Sequence, residues 1–473
     1  MSREEIGCDP RSKRAGVDVS DGRSAEPGRE SVANGRAFVE RRSFLGALGV
    51  GTIGALAGCL GGDEEDGASE DDESSEDDES SEDDESSEDD GNSEGNGFDA
   101  FVETEGAEFL VDGEPIYFNG ANNFWITDDY AMSERRIDDC FELFADLGID
   151  LVRTWANGEA KPGPHTLQPE PGVHNEAALE LHDYLIETAR EHGIRLVFSF
   201  VDNWEHEGGM LQYAAWVGGD SRYEFYTERE ARELYENHVE TLLTRENSIS
   251  GVEWREDPTI AMWELANEPR LERDDVSEGM DALDPPEHRE VLGGWIEDMA
   301  GYVKDLDEHH LVSTGSEGFY YDAGGRPYPY DDWDGQDYLL HHAYDAIDAC
   351  SFHLYPDHWG EAFPLEHGGE WIAKHVEDAH EELEKPAYCG EFNVHRDHGI
   401  EVRNEHLAAW YSVADEADCN ATAIWQVVLE ETEDHDGFQI YRSESGHLLE
   451  DYATVVAEKS GSESGERVGH ERV

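Results

Sequence analysis

From Phe98 onward, short apolar runs rich in β-forming residues alternate with longer amphipathic stretches. The short runs, bounded by turn residues, fall at Tyr117–Asn122, Asp150–Ala156, Arg195–Asn203, Thr259–Glu268, Leu311–Ser316, Ala349–Tyr355, Pro386–Phe392 and Ala421–Val427. Each reads as a strand. The stretches between them, such as ERRIDDCFELFADLG, EAALELHDYLIETAREHG and EVRNEHLAAWYSVADEA, carry the helical period. Eight such alternations over about 360 residues predict an α/β fold, a (β/α)8 TIM barrel with long loops at the C-terminal strand ends. Ahead of them, FVETEGAEFLVDGEPIYF predicts a β-hairpin about an Asp-Gly turn. A doubly wound sheet is the alternative, but it runs shorter and has no need of the opening hairpin.

The first 97 residues have no such pattern. Residues 1–40 are polar, of mixed charge, and read as disordered or as the product of a start codon set too early. RRSFLGALGVGTIGALAGC, residues 41–59, pairs Arg41-Arg42 with a short apolar run rich in Gly and Ala and ends in LAGC. Twin arginines before a weakly apolar run predict a Tat export signal, and the run is too short and Gly-rich for a membrane span. LAGC resembles a lipobox in which Cys59 is lipidated and becomes the mature N-terminus; the bland reading is a buried helix with a chance cysteine. Residues 60–97 repeat ESSEDD and contain no Lys or Arg, so self-repulsion extends them into a disordered linker. The expected organisation is a signal over 1–59, a linker over 60–97, the barrel over 98–460 and a disordered tail over 461–473. An extracellular protein anchored to the outer membrane face only through its lipid follows.

Charge narrows the partners. The chain of 473 residues carries 114 acids against 33 Lys plus Arg, a net charge of −81. Nucleic acid and polyanionic polysaccharides are excluded as partners, because phosphate or carboxylate contacts need clustered cations. The acids recur along nearly every predicted helix, and such a surface repels itself unless salt screens it. The composition resembles that of haloarchaeal secreted proteins and predicts a salt-adapted one. Twelve Trp and 19 Tyr suit stacking on sugar rings.

The unusual polar residues cluster at strand C-terminal ends, where a barrel builds its site. Arg153 in LVRTWANG ends the second strand, the third leads into FVDNWEHEGGM, and the fourth ends in Asn267-Glu268 of TIAMWELANEP. His353 and Tyr355 of SFHLYPDHWG end the sixth, Glu391 of KPAYCGEFNVH the seventh, and Trp425 of AIWQVV the eighth. Two carboxylates on one barrel face are what glycoside hydrolysis needs: one protonates the leaving oxygen, the other attacks the anomeric carbon or activates water. Each residue alone has a plainer reading. A strand-end Glu is usually solvated, Arg153 suits a rim ion pair, His353 a core histidine, and Trp425 ordinary packing.

Together, RTWA, DNWEHEGGM, WELANEP, FHLYPDHWG, the GEF after KP, and the Trp-Gln of the last strand resemble glycoside hydrolase family 5 of clan A, and within it the endo-β-1,4-mannanases. The resemblance spans Phe98 to Glu458. It implies Glu268 as acid/base and Glu391 as nucleophile of a retaining mechanism, with Asn267 on the sugar 2-hydroxyl. It further implies Arg153 and Tyr355 on Glu391, His353 on Glu268 or a sugar hydroxyl, and Trp425 as a platform. Arg153, Trp155, Asn267, His353, Tyr355 and Trp425 are thus the expected substrate-binding set. Trp125, Trp204, Trp216 and Trp359 are further candidate subsite walls, some of which must simply pack. The chain departs from the family at GEFNVH, where GEFG or EEYG is common, and in VVLEETEDHDGFQIY, so the loops after strands seven and eight do not carry over.

The expected activity is hydrolysis of internal β-1,4 bonds of mannan, glucomannan or galactomannan, by a monomer without cofactor. A β-1,4-glucanase of the same clan, or a surface carbohydrate-binding protein without activity, are the rivals. Cys140, Cys350, Cys389 and Cys419 fall in the barrel, where disulfides or buried thiols are both open. His341-His342 and His395-x-x-His398 could ligate a metal, but 22 scattered histidines do not favour it and none is expected.

Overall fold

The computed structural model describes residues 98–461 apart from 129, 130, 162, 322–327, 331, 361 and 362. The predicted signal with Cys59, the acidic linker and residues 462–473 of the tail lie outside the described residues. The predicted hairpin is present as β2 (Glu108–Val111) and β3 (Glu114–Ile116), and β1 (Glu103–Glu105) extends it to three antiparallel strands. Its two-residue turn, Asp112-Gly113, has φ of 54° and 78°. Both residues are left-handed, the geometry that matches strand twist and favours Asp-Gly.

Eight parallel strands follow: β4 (Phe118–Asn122), β5 (Leu151–Trp155), β6 (Arg195–Ser199), β7 (Ile260–Glu264), β8 (Leu311–Ser313), β9 (Cys350–Leu354), β10 (Ala387–Phe392) and β11 (Ala421–Ile424). They pair in the order β8-β7-β6-β5-β4-β11-β10-β9, and a parallel bridge between Ser313 and Ala349 joins β8 to β9. The sheet thus closes into the predicted TIM barrel. Every residue of these strands is buried, because the lumen covers one face and helices the other.

The outer layer includes helices at Glu134–Asp146, Glu176–Glu191, Arg229–Leu243, Pro285–Leu306, Gly368–Glu381, Ile400–Glu416 and Arg442–Lys459. Local chemistry starts several of them. Ser133 accepts from the Arg136 N–H, and Asp284 forms a capping box with Glu287 around Pro285 at the first helical position.

One end of the barrel is sealed by an apolar cluster in which Val102 and Phe109 pack with Phe118, Leu151, Val197, Met262, Leu311 and Ala421. The opposite end is polar. There the strands stop earlier than their apolar runs predict: β6 ends at Ser199 and β7 at Glu264, short of Asn203 and Glu268. The residues beyond leave the ladder to build the site, keeping a single bridge between Asp202 and Asn267.

Candidate active site

Glu268 stands four residues past β7 with φ of +50°, a conformation rare for a residue with a side chain. Its N–H donates to the Gly315 carbonyl at 2.8 Å. Gly315 permits this approach: a Cβ there would lie 1.9 Å from the Ala266 oxygen. Glu391 lies within β10, where the register to β9 shifts between Cys389 and Glu391. Such a bulge re-aims a side chain. Gly390, at the shift, leaves room for the His353 ring, whose Nε2 would be 3.1 Å from an added Cβ.

The two carboxyls are nearly closed off, at 7% and 4% exposure for Glu268 and Glu391. One oxygen of each, with a ring nitrogen of His353, lie within 4.8 Å of one another. Their partners differ. Glu391 accepts from Arg153 NH1 at 2.7 Å and from the Tyr355 hydroxyl at 2.7 Å. Glu268 accepts from His353 Nδ1 at 2.9 Å and from the Trp204 indole at 2.6 Å. Arg153 also donates through Nε to Glu264 at 2.8 Å and through NH2 to the Asn267 side-chain oxygen at 2.8 Å. Asn267 in turn donates to Asp202 at 2.8 Å.

These groups perturb one another. The charge of Glu268 acts on Glu391. Burial pushes the Glu391 carboxyl up, aided by the Glu268 charge and opposed by His353, Arg153 and Tyr355. Burial also pushes at Glu268, but His353, Arg270 and Trp204 together turn its net direction down. Beyond Glu268, Arg270 donates from Nε to Glu317 at 2.5 Å. Glu317 is nonetheless held well above the usual carboxylate range by burial and the neighbouring Glu268 charge.

The Trp425 ring lies 5.8 Å from that of Phe124 and 5.9 Å from that of Trp155. Asn393, the residue that breaks the expected GEFG pattern, donates to the carbonyls of both Trp425 and Phe438. Arg403 donates to the carbonyls of Phe438 and Gln439, each at 2.9 Å. The departures after strands seven and eight therefore fit one another: the first loop anchors the second.

All eight residues expected at the site converge, and three of them are fully enclosed. Arg153 and His353 are 0% exposed and Trp155 is 1%. Arg153 and His353 bond the two glutamates, and the Trp155 ring lies beside that of Trp425. Among the candidate walls, Trp204 is instead the indole donor to Glu268, while Trp359 packs against Trp371 at 4.8 Å. Glu264, Asp202, Arg270 and Glu317 join the site without standing among the expected residues. Their only sequence signal is position, within or just past strands four, three and five. Cys140, Cys350, Cys389 and Cys419 are all buried free thiols. His341 and His342 are buried, and burial lowers both, to about 4 and about 3. His342 is committed to the Tyr338 carbonyl and Thr314.

The comparisons with known proteins agree with this geometry. Residues 99–439 match the family model described as GH family 5 beta-mannosidase-like. Mannan endo-1,4-beta-mannosidase 2 of Arabidopsis thaliana is 33% identical over 356 residues, 70% of this chain and 79% of the relative. The endo-1,4-beta-mannanase of Rhizomucor miehei superposes with a TM-score of 0.68 at 30% identity, covering 76% of this chain and 100% of the other. The endo-beta-1,4-mannanase of Thermotoga petrophila does so at 0.64 and 30% identity, covering 73% and 78%. The chain belongs to glycoside hydrolase family 5, among its β-mannosidase-like members.

Proposed function

We propose that the protein is a retaining endo-β-1,4-mannanase that cuts mannan, glucomannan or galactomannan by double displacement. The observation that carries this reading is the buried carboxyl pair with oxygens within 4.8 Å. Retaining enzymes hold their two carboxyls about 5–5.5 Å apart, whereas inverting ones leave room for a water at about 6.5–9.5 Å. The different partners of the two acids divide the labour. Arg153 is a permanent cation bonded to Glu391, whereas Glu268 is bonded by an imidazole and an indole, neither of them a permanent cation. The proton that the reaction needs is therefore assigned to Glu268.

Glu268 gives that proton to the glycosidic oxygen as Glu391 attacks the anomeric carbon. The C–O bond to the leaving chain breaks and a glycosyl ester forms on Glu391. Glu268, now ionised, takes a proton from water, which attacks the same carbon and releases Glu391. Asn267 uses one N–H of its amide on Asp202, so the second remains for a sugar 2-hydroxyl, a bond that strengthens as positive charge develops. Trp425 supplies the apolar floor under the ring.

Similarity to named mannanases supports mannan over cellulose as substrate. Reducing-sugar release from glucomannan, galactomannan, cellulose and xylan in high salt tests the choice. Mannan-type substrates should dominate, and proton NMR should find the β-anomer formed first. Preference for cellulose would favour the glucanase reading, an α-anomer would end the retaining one, and inactivity on all four would leave only binding. The same assays in dilute buffer should lose activity if −81 charges need screening. Export by the Tat route and anchoring through Cys59 rest on the sequence; Cys59→Ala should shed the enzyme into the medium, and continued retention on cells would refute the anchor.

A further inference from the structure

We propose that Glu264 is a positioning residue of this double displacement, keeping Arg153 charge-balanced and in place while Glu391 is a neutral ester. The inference rests on the reading of Glu391 as nucleophile. Arg153 bridges two carboxylates rather than one, with Nε on Glu264 at 2.8 Å and NH1 on Glu391 at 2.7 Å. The side chains of Arg153 and Glu264 are both fully buried. Gly315 leaves room for the Glu264 oxygen that accepts from Arg153, since a Cβ there would come within 3.1 Å of it.

Charge must be followed through the reaction. In the free enzyme Glu264 and Glu391 against Arg153 leave one net negative charge beneath the anomeric centre. That charge offsets the positive charge growing on the sugar in the transition state. When the bond from Glu391 to the anomeric carbon forms, the carboxylate charge is consumed, and the departing oxygen takes its proton from Glu268. Arg153 would then be a buried cation facing an ester, an arrangement strongly penalised in a protein interior. Glu264 remains to neutralise it, so the covalent state is formed without an orphaned charge. Deglycosylation regenerates the Glu391 carboxylate against an arginine that has not moved.

Among the described residues, the other charged or titratable groups facing this cluster are Glu268 past β7, His353 and Tyr355 on the β9 side, and Tyr388 and Cys389 on β10. Among the described residues, Arg153 is the permanent cation in contact with Glu391. Ser199 and Ser313, the register partners of Glu264 on β6 and β8, carry no charge that could substitute.

Glu264→Gln keeps an acceptor for Arg153 Nε and removes only the charge. It should lower kcat/KM about 100-fold. Arg153 then serves Glu391 alone and holds it ionised to lower pH, so the acid limb of kcat/KM should move down by about one unit. Glu264→Asp retains a charge at longer reach and should move the limb by less than half as much. It carries the test if the Gln variant does not fold, as judged by circular dichroism in high salt. An acid limb that stays put in either folded variant, whatever happens to the rate, overturns the proposal. Trapping of a 2-fluoro-glycosyl ester on Glu391 of the unaltered enzyme, read by mass spectrometry, separates the two claims. No ester there fails the nucleophile reading itself, whereas an ester together with an unmoved limb fails only the role of Glu264.

Discussion

The two ends of the barrel lumen are built from the same strands by opposite means. On β5, Leu151 belongs to the apolar plug while Arg153, two residues on, is the hub of the ion network; on β7, Met262 and Glu264 repeat the pattern. Residues two apart share a face, so each of these two strands places an apolar group low in the lumen and a charged one high. The plug is closed by Val102, just ahead of β1, and Phe109 of β2. Burial of this kind stabilises by about 25 cal/mol per Å² of apolar surface. Buried ion pairs at the other end roughly break even against their desolvation. The lesson is a division of work: the plug holds the barrel shut, and the network exists for chemistry.

The sharpest break of this comparison is Glu391→Ala. Turnover on mannan should fall at least about 10⁴-fold, as for other nucleophile deletions, while the protein stays folded because Arg153 keeps Glu264. Activity within tenfold of the unaltered enzyme would remove Glu391 as nucleophile. Arg153→Met should both inactivate the enzyme and destabilise it by about 3–5 kcal/mol, because Glu264 and Glu391 are left as buried charges without their cation. Unchanged stability in high-salt denaturation would mean that neither carboxylate is ionised.

Phe109→Ala tests the opposite end. Phe109 is buried and meets Phe118 edge-on at 6.2 Å. Its truncation should cost about 3 kcal/mol and leave kcat per folded molecule untouched. A comparable loss of kcat would mean that the plug sets the geometry of the site.

How far the sequence reached follows the same division. The eight barrel strands were legible because each is an apolar run bounded by turn residues, and Glu268, Glu391, Arg153 and Tyr355 because they stand in recognisable strings. What strings do not encode is partnership between distant residues. Arg153 and Glu264 are 111 positions apart, and Trp204 and Glu268 are 64 apart. Glu264 sits in the same WELANEP string as Glu268, yet only the closed barrel gives it an arginine. Strand ends were overrun for a related reason: apolar patterning continues past Ser199 and Glu264, while the hydrogen-bond ladder yields to the φ of +50° at Glu268. The hairpin was legible from its Asp-Gly turn, but β1 carries only three residues and no distinctive pattern.

Glu159 offers the finest test, because it lies in the loop after β5 and has burial without a cation. It is 1% exposed, accepts from the Gly209 N–H at 2.8 Å, and burial raises it to about 8. At neutral pH it is therefore protonated in the folded protein and ionised in the unfolded chain. Between roughly pH 4.5 and 8 the folded state binds the extra proton, so stability falls as pH rises, by up to about 1.4 kcal/mol per unit. Glu159→Gln keeps the acceptor for Gly209 and removes the titration. Denaturant midpoints at fixed high salt should therefore diverge between pH 5.5 and 7.5, the variant gaining about 2 kcal/mol on the unaltered protein. Parallel profiles would mean that Glu159 is ionised when folded, and that a carboxylate can be buried at this end of the barrel without an arginine to hold it.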